Sequence, residues 1–472
     1  MYDRETALQT LFGQNPQHDS SMNDIESEEQ IITKRMTEHN PDVELEVFTD
    51  GASAHDIVQG GNGTCFYLGG LMCVAEHQKF IKKLVVHYSV ELGVYGIMFY
   101  SNEWTYVIID DYNVYCSGER VFSGSVDQKE IWVSLLEKAY AKLHGSYDMV
   151  DGGFGTDAII DLTGGIPVEV DKNNWEEFHD AVQSGYYCFA CFLCNVEGTD
   201  KEQTEEGLIP GHIYSVLNTL EYDDVRLVNV RNPHGGGEWQ GDYCDGSDLW
   251  TDELKEAAGH QDEEDGSFWM THDDFVTWFG LESVRLFDKD YHFTKLWGES
   301  CCDFSRDSEE ETEKYDNIYS EGYFLLTLHD SADVAFCLSQ TDMKKQPDWD
   351  TKRNDLFALG FTVLKFEEDA EDIIGAYCAG EFEVVLDTKD LADSRDVALA
   401  DILQPGNYAL IPRFDFAGCQ YSVRAFTNAG SYDFEYYFPD EDVRDEVDEE
   451  DGEDEGGEDE GDAEDEGSED EE

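Results

Sequence analysis

Cys65 closes the run Gln59-Gly60-Gly61-Asn62-Gly63-Thr64-Cys65, and a mostly apolar segment with helical character follows it through about Leu84. A cysteine at a helix N-terminus feels the positive end of the macrodipole, which lowers its thiol pKa. The loop glycines let a substrate backbone come close to the sulfur. Gln59 stands where its side-chain N–H can join the Cys65 amide in holding a developing oxyanion. Against this, cysteines that merely fill a core are commoner than nucleophiles, and Gly69-Gly70 weakens the helix. A nucleophilic reading therefore needs a base, and the base needs an orienter.

Of 13 histidines, His212 has the most telling neighbourhood. HIYSVL (212–217) and RLVNV (226–230) read as two strands joined by a polar turn. A hairpin centred on Tyr222 sets His212 opposite Asn232, and Pro233-His234-Gly235-Gly236-Gly237 then stops the strand and opens the end. An Asn oxygen fixes a histidine tautomer without adding charge, as in Cys-His-Asn proteases. The bland alternative is a structural strand histidine.

These groups need elements to carry them. From Glu46 to about Phe287, apolar segments alternate with Gly-rich turns, as in a mixed α+β domain. IWVSLLEKAYAKL (131–143) places Ile131, Trp132, Leu135, Leu136, Ala139, Tyr140 and Leu143 on one helical face, and WTYVIID (104–110) has strand composition. The acidic stretch Asp307–Asp316 reads as a linker. Beyond it short apolar segments recur between turns, the pattern of an all-β sandwich. From about Asp440 the chain is almost only Asp, Glu and Gly, a like-charge block expected to be disordered: a solubilising tail, or one that buffers divalent ions or meets partners.

The whole chain has 472 residues, with 30 Lys+Arg against 108 Asp+Glu, a net charge of −78. Such a balance argues against nucleic-acid phosphate as a ligand and makes cations, Ca²⁺ above all, the natural counter-species. No apolar run is long enough for a transmembrane helix, and the first residues lack the basic-then-apolar pattern of a secretory signal. Twelve sparsely spaced cysteines point to free thiols in a reducing, cytoplasmic setting.

Taken together, QGGNGTCFYLGGL, LLEKAYAKLHGSYDMVDGG with DLTGG, GLIPGHIYSVL, VRNPHGGGEWQGDY and EDGSFWMTHDDFVTWF resemble, in order and spacing, the calpain cysteine-protease core over about residues 46–287. LQPGNYALIP and YSVRAFTN resemble more weakly the β-sandwich that follows that core; the acidic tail stands where an EF-hand module would. The resemblance implies an α+β, two-lobed papain-like core, an all-β sandwich and a disordered acidic tail. The expected boundaries are a polar extension at 1–45, lobe one at 46–170, lobe two at 171–287, a linker at 288–317, the sandwich at 318–438 and the tail at 439–472. It implies a calcium-dependent endopeptidase that makes limited cuts in proteins, with Cys65 as nucleophile, His212 as base, Asn232 as orienter and Gln59 in the oxyanion hole. The alternative is a calpain-like binding or regulatory protein with little turnover, acting through the sandwich and tail on a partner or, with calcium, a membrane.

Three positions depart from the family pattern: Thr64 replaces Asp, Phe66 replaces Trp, and His234 replaces the Trp that follows the Asn-Pro pair. A histidine there shields the His212–Asn232 bond less well and brings its own titration near neutrality. The same resemblance places calcium ligands at the Thr49 and Gly51 carbonyls, Asp56 and Asp157 in lobe one. In lobe two it places them at Glu238, Asp245, Asp265 and the Glu263 carbonyl, with Ser267 replacing a ligand Glu. In so acidic a chain any one of these carboxylates is equally readable as solvated surface. Cys188, Cys191 and Cys194 have a spacing that suggests zinc, but CFACFLC reads as a buried strand without a fourth ligand.

Overall fold

The computed structural model describes residues 31–39, 41–194, 203–299, 322–340, 358–367, 373, 382–414 and 420–437. The expected linker Asp307–Asp316 and the acidic tail lie outside the described residues. Helix α1 (Cys65–Ala75) is apolar on every side, and all its residues after Cys65 are buried. A helix apolar all round belongs at the centre of a body rather than on its surface, and the others are arranged about it. The expected single segment to Leu84 breaks at Glu76-His77, and a second helix, α2 (Gln78–Leu84), follows. Strands β1 (Val85–Ser89), β2 (Val94–Ser101) and β3 (Glu103–Asp110) form an antiparallel sheet. Helices α3 (Trp132–His144) and α4 (Gly155–Thr163) complete this body, with Leu68, Leu71, Phe99, Leu136, Tyr140 and Ile159 in one core. The polar reading of the first 45 residues misses a strand: Ile31–Arg35 pairs antiparallel with Tyr112–Cys116.

The second body is a six-stranded sheet. Its strands, in chain order, are β4 (Ile166–Pro167), β5 (Tyr187–Leu193), β6 (Ile213–Tyr222), β7 (Val225–Arg231), β8 (Ser267–Thr271) and β9 (Phe279–Arg285), and their spatial order is β8-β7-β6-β5-β9-β4. Cys188 and Cys191 lie on β5 among buried apolar neighbours, as the strand reading expects. Beside Phe178 of the helix Trp175–Ser184, this sheet buries Tyr214, Val228, Phe268 and Phe279.

The third body contains two antiparallel sheets. One has four strands, including His292–Glu299, Ala332–Gln340, Asp396–Leu403 and Gln420–Thr427. The other is built on Tyr323–Leu328, Ala358–Phe366, Glu383–Asp387, Gly406–Phe414 and Tyr432–Tyr437. Phe324, Phe336, Phe361, Leu410 and Val423 come from both sheets into one core. Buried ions tie this body to the first. Arg395 bonds Asp161 Oδ1 at 2.8 Å and Asp396 Oδ2 at 2.8 Å, and Arg424 donates to the Gly164 and Gly165 carbonyls at 3.0 and 2.9 Å. Arg285 of β9 pairs with Asp333 in the same way across the second junction.

Candidate active site

α1 presents Cys65 as its first residue, and the sulfur-bearing residue is half-buried. The helix is pressed against β6, whose first residue follows His212. Ser215 Oγ donates to the Gly69 carbonyl at 2.6 Å, and a Cβ on Gly69 would stand 2.7 Å from Ile213 Cγ2. Gly69 is therefore required by close approach; its cost to helix stability is offset by the contact it permits. Gly70 serves the other side, where a Cβ would meet Ala158 Cβ of α4 at 3.0 Å.

His212 and Asn232 meet as expected, but by a different register. β6 and β7 turn at Asp223-Asp224, with Tyr222 paired to Val225, and a bulge between Val216 and Asn218 shifts the ladder. Ser215 then pairs with Arg231, so the pairing continued outward sets His212 across from His234. The two rings do stack, 4.3 Å between centroids. Asn232 reaches His212 diagonally, with Oδ1 2.8 Å from Nε2.

The Asn232 amide has no freedom to turn. Its Nδ2 donates to the Gly236 and Gly237 carbonyls at 2.8 and 3.1 Å, and its Oδ1 also accepts from the His234 amide at 3.0 Å. An oxygen facing His212 requires the proton on Nε2, so Nδ1 carries the lone pair. His212 is fully enclosed, and burial, reinforced by the neighbouring His234 and opposed by the Asn232 bond, pulls its pKa down to about 3. The imidazole is neutral at pH 7. Tyr214 stands edge-on to the His212 ring at 5.1 Å, and Cys65 is near enough to Tyr214 to add to the rise of the phenol's pKa, behind burial and Cys191.

Gln59 ties the two halves together. Its backbone N–H donates to the Pro233 carbonyl at 2.8 Å, joining the cysteine loop to the Asn232 loop. Its Nε2 donates one hydrogen to the Asn62 carbonyl at 2.8 Å, which fixes the amide's orientation and leaves its second N–H for a ligand oxygen. Arg231, buried beside Asn232, spans the same junction: its guanidinium donates to the Ile57 carbonyl at 3.1 Å and the Asp265 carbonyl at 3.2 Å. Neither Arg231 nor Tyr214 was picked out from the sequence; an arginine that ends the strand β7 directly before Asn232 was the available signal.

The acidic residues fall into two sets. In the first, Thr49 N–H and Oγ1 both donate to Glu130 Oε1, Gly51 has the left-handed φ of +117°, and Asp56 accepts from Ser53 N–H at 2.8 Å. Glu130, which the sequence reading did not single out, and Asp56 are both raised, by burial first and in Glu130 also by the Asp56 charge. Asp157 instead lies beside Arg395, 3.7 Å away. In the second set, Glu238 Oε1 accepts from Gly266 N–H at 2.7 Å, and the Glu263 carbonyl accepts from Asp265 N–H at 2.9 Å. Burial, with repulsion from neighbouring acids, lifts Glu238 to about 7 and Asp245 to about 6. Burial also acts on Asp265, but hydrogen bonds to His55 and Ser267 prevail and hold it at about 2. Asp245 Oδ1 is buried without a hydrogen-bond partner, its nearest ionic neighbour being His260 Nδ1 at 3.8 Å. Among the described residues no three His, Cys, Asp or Glu side chains already surround one metal position.

Comparisons with known proteins give the family. A family profile described as "Calpain family cysteine protease" matches residues 12–284, and so begins within the expected polar extension. The chain is 34% identical over 250 residues to "Calpain-type cysteine protease ADL1" of Oryza sativa subsp. japonica, covering 49% of this chain but only 11% of that protein. It is 29% identical over 441 residues to a "Calpain" of Schistosoma mansoni, covering 84% of this chain and 57% of that one. "Calpain-5" of Mus musculus is 25% identical over 437 residues, 82% of this chain and 67% of the mouse protein. The chain belongs to the calpain family of cysteine proteases.

Proposed function

We propose that this chain is a calcium-dependent cysteine endopeptidase that makes limited cuts in protein substrates, with Cys65 as nucleophile, His212 as base, Asn232 as orienter and Gln59 as an oxyanion donor. The first two bodies are read as the lobes of a papain-like core, about 46–170 and 171–287, and the third as a β-sandwich at about 318–438. The observation that carries the reading is the Asn232 Oδ1–His212 Nε2 bond of 2.8 Å, made on a loop that the cysteine loop grips through Gln59 N–H. It leaves Nδ1 as the basic atom of the ring.

The chemistry follows from those assignments. The Cys65 thiol passes its proton to His212 Nδ1 as sulfur attacks the scissile carbonyl carbon. The resulting oxyanion takes hydrogen bonds from Gln59 Nε2 and the Cys65 amide. As the C–N bond breaks, His212 returns the proton to the departing amine and a thioester remains. Water then gives a proton to His212 and attacks the thioester, and the acid product leaves as the thiol is restored. Because burial keeps His212 neutral, the resting site holds a base rather than an imidazolium.

The second acidic set fits a divalent cation. Glu238 and Asp245 are mutually repelling carboxylates held above their ordinary range, and Asp245 Oδ1 has no hydrogen-bond partner. Glu238, Asp245, Asp265 and the Glu263 carbonyl would hold Ca²⁺, which would supply positive charge at that loop junction. Thr49, Gly51 and Asp56 fit such an ion in part, whereas Asp157 is engaged by Arg395. Cation binding would favour the arrangement in which the two lobes meet across Arg231 and Gln59.

A second reading, a regulatory family member with little turnover, draws support from the His212–His234 stack, which disfavours protonation of the catalytic imidazole. Casein cleavage with Ca²⁺ and with chelator separates the possibilities. The proposal expects cleavage that needs Ca²⁺ and vanishes in Cys65→Ser; equal cleavage in chelator defeats the calcium dependence, and none under any condition favours the second reading.

A further inference from the structure

Helix α3 buries a charged residue that lies off its expected apolar face. Glu137 is buried beneath the start of α1: its Oε1 lies 2.6 Å from Thr64 Oγ1 and its Oε2 accepts the Ser123 N–H at 2.9 Å. Ser134 Oγ donates to the Ser123 carbonyl at 2.7 Å, fixing the same loop. Tyr140, one turn further along α3, stacks on Tyr67 at 4.1 Å, so the two helices are locked together around this bond.

Thr64 is the N-cap of α1 and the residue before Cys65. A threonine there ordinarily adopts an extended backbone and turns its oxygen onto the amides of the first turn. Thr64 does neither: φ is −85° and ψ is 17°, and its side chain makes no capping bond. Its hydroxyl is turned inward, onto Glu137. The first turn of α1 is the positive pole that would favour a Cys65 thiolate and, with the Cys65 amide, an oxyanion. A side-chain oxygen capping that turn would compete for the same field.

We propose that Glu137 is a positioning residue for the nucleophile: by holding the Thr64 hydroxyl it keeps a competing cap off the first turn of α1. The proposal rests on the reading of Cys65 as nucleophile. It assigns a use to a buried carboxylate that the reaction itself does not touch.

The test is the rate of Cys65 alkylation by iodoacetamide against pH, measured on the full chain. Glu137→Met keeps the volume and frees the hydroxyl, and Glu137→Met with Thr64→Val then removes it. Both lack the buried charge, so their difference isolates the cap. The double variant is expected to be alkylated at least about fivefold faster than Glu137→Met at pH 6, with its acid limb at lower pH. Deleting a hydroxyl that served only packing would not accelerate a thiol, so equal or slower alkylation overturns the proposal. Glu137→Gln provides a second comparison if the Met variants do not fold. Its amide still engages the hydroxyl, so adding Thr64→Val gives no gain, and a fivefold gain there also overturns it. Another thiol alkylated in Cys65→Ser at pH 6 as fast as Cys65 is in the wild type would instead defeat the nucleophile assignment.

Discussion

Gly69→Ala offers a perturbation whose effects on stability and activity diverge. A new Cβ would sit 2.7 Å from Ile213 Cγ2, about 1 Å inside the ordinary carbon contact of roughly 3.5–4.0 Å. Ile213 is β-branched and stiff at χ1, so the strain passes into a separation of α1 from β6 of up to about 1 Å. Overpacking of this kind costs about 1–3 kcal/mol, while replacing glycine inside a helix recovers about 1 kcal/mol. The net loss of stability is therefore small, about 0–2 kcal/mol. The same shift lies directly between Cys65 and His212, where a misplacement of about 1 Å can cost about 100-fold in rate. A fluorogenic peptide assay beside a thermal melt should show a near-normal melt with kcat/KM down by one to two decades, on the order of that estimate. Ile213→Ala removes the opposing methyl and should restore much of the rate in the double variant, whereas Ile213→Val keeps both γ-methyls and should not. A Gly69→Ala protein with kcat/KM within about twofold of the wild type would refute the claim that this contact sets the alignment.

Three further outcomes are expected. Glu238 and Asp245 are raised in the folded chain, so the stability they contribute is present at low pH and is lost as pH rises through about 6 to 7. Thermal melts in chelator should therefore fall between pH 5 and 8, by less with Ca²⁺ present and by less in Glu238→Gln; a slope indifferent to both would contradict the cation assignment. His234→Trp replaces the ring stacked on His212, so the variant's pH–rate profile should differ from the wild type's. Identical profiles would remove His234 from the account. Arg395→Met removes the guanidinium shared by the buried carboxylates of Asp161 and Asp396, leaving Asp396 to Arg424 and Asp161 to Tyr140, and should lower stability by about 3 kcal/mol; a loss under about 1 kcal/mol in denaturant titration would count against that junction.

Chemistry and local pattern were legible in the sequence where a residue type and its near neighbours sufficed. The helical period of 131–143 matches α3, and the strand composition of CFACFLC matches β5. The pairing of His212 with Asn232 was anticipated for an incomplete reason. A hairpin register counted from Tyr222 could not include the bulge between Val216 and Asn218, so the residue across from His212 is His234 and Asn232 arrives on the diagonal. Glu137 and Lys138 fall off the apolar face of α3 by periodicity, yet both are buried because the helix is covered on all sides. The partner of Asp157 was beyond local reasoning altogether, since Arg395 is 238 positions away. The strand Ile31–Arg35 was overlooked because a short IITKR run with no apolar–polar alternation gives little signal until its partner Tyr112–Cys116 is placed beside it.

The most direct examination of the central claim is to treat the full chain with an epoxide inhibitor of cysteine proteases in Ca²⁺ and map the adduct by peptide mass spectrometry. The account predicts one adduct, on Cys65, formed quickly in the wild type and at least about 100-fold more slowly in His212→Ala. Adducts on other thiols at comparable rates, or modification of Cys65 that does not depend on His212, would contradict it.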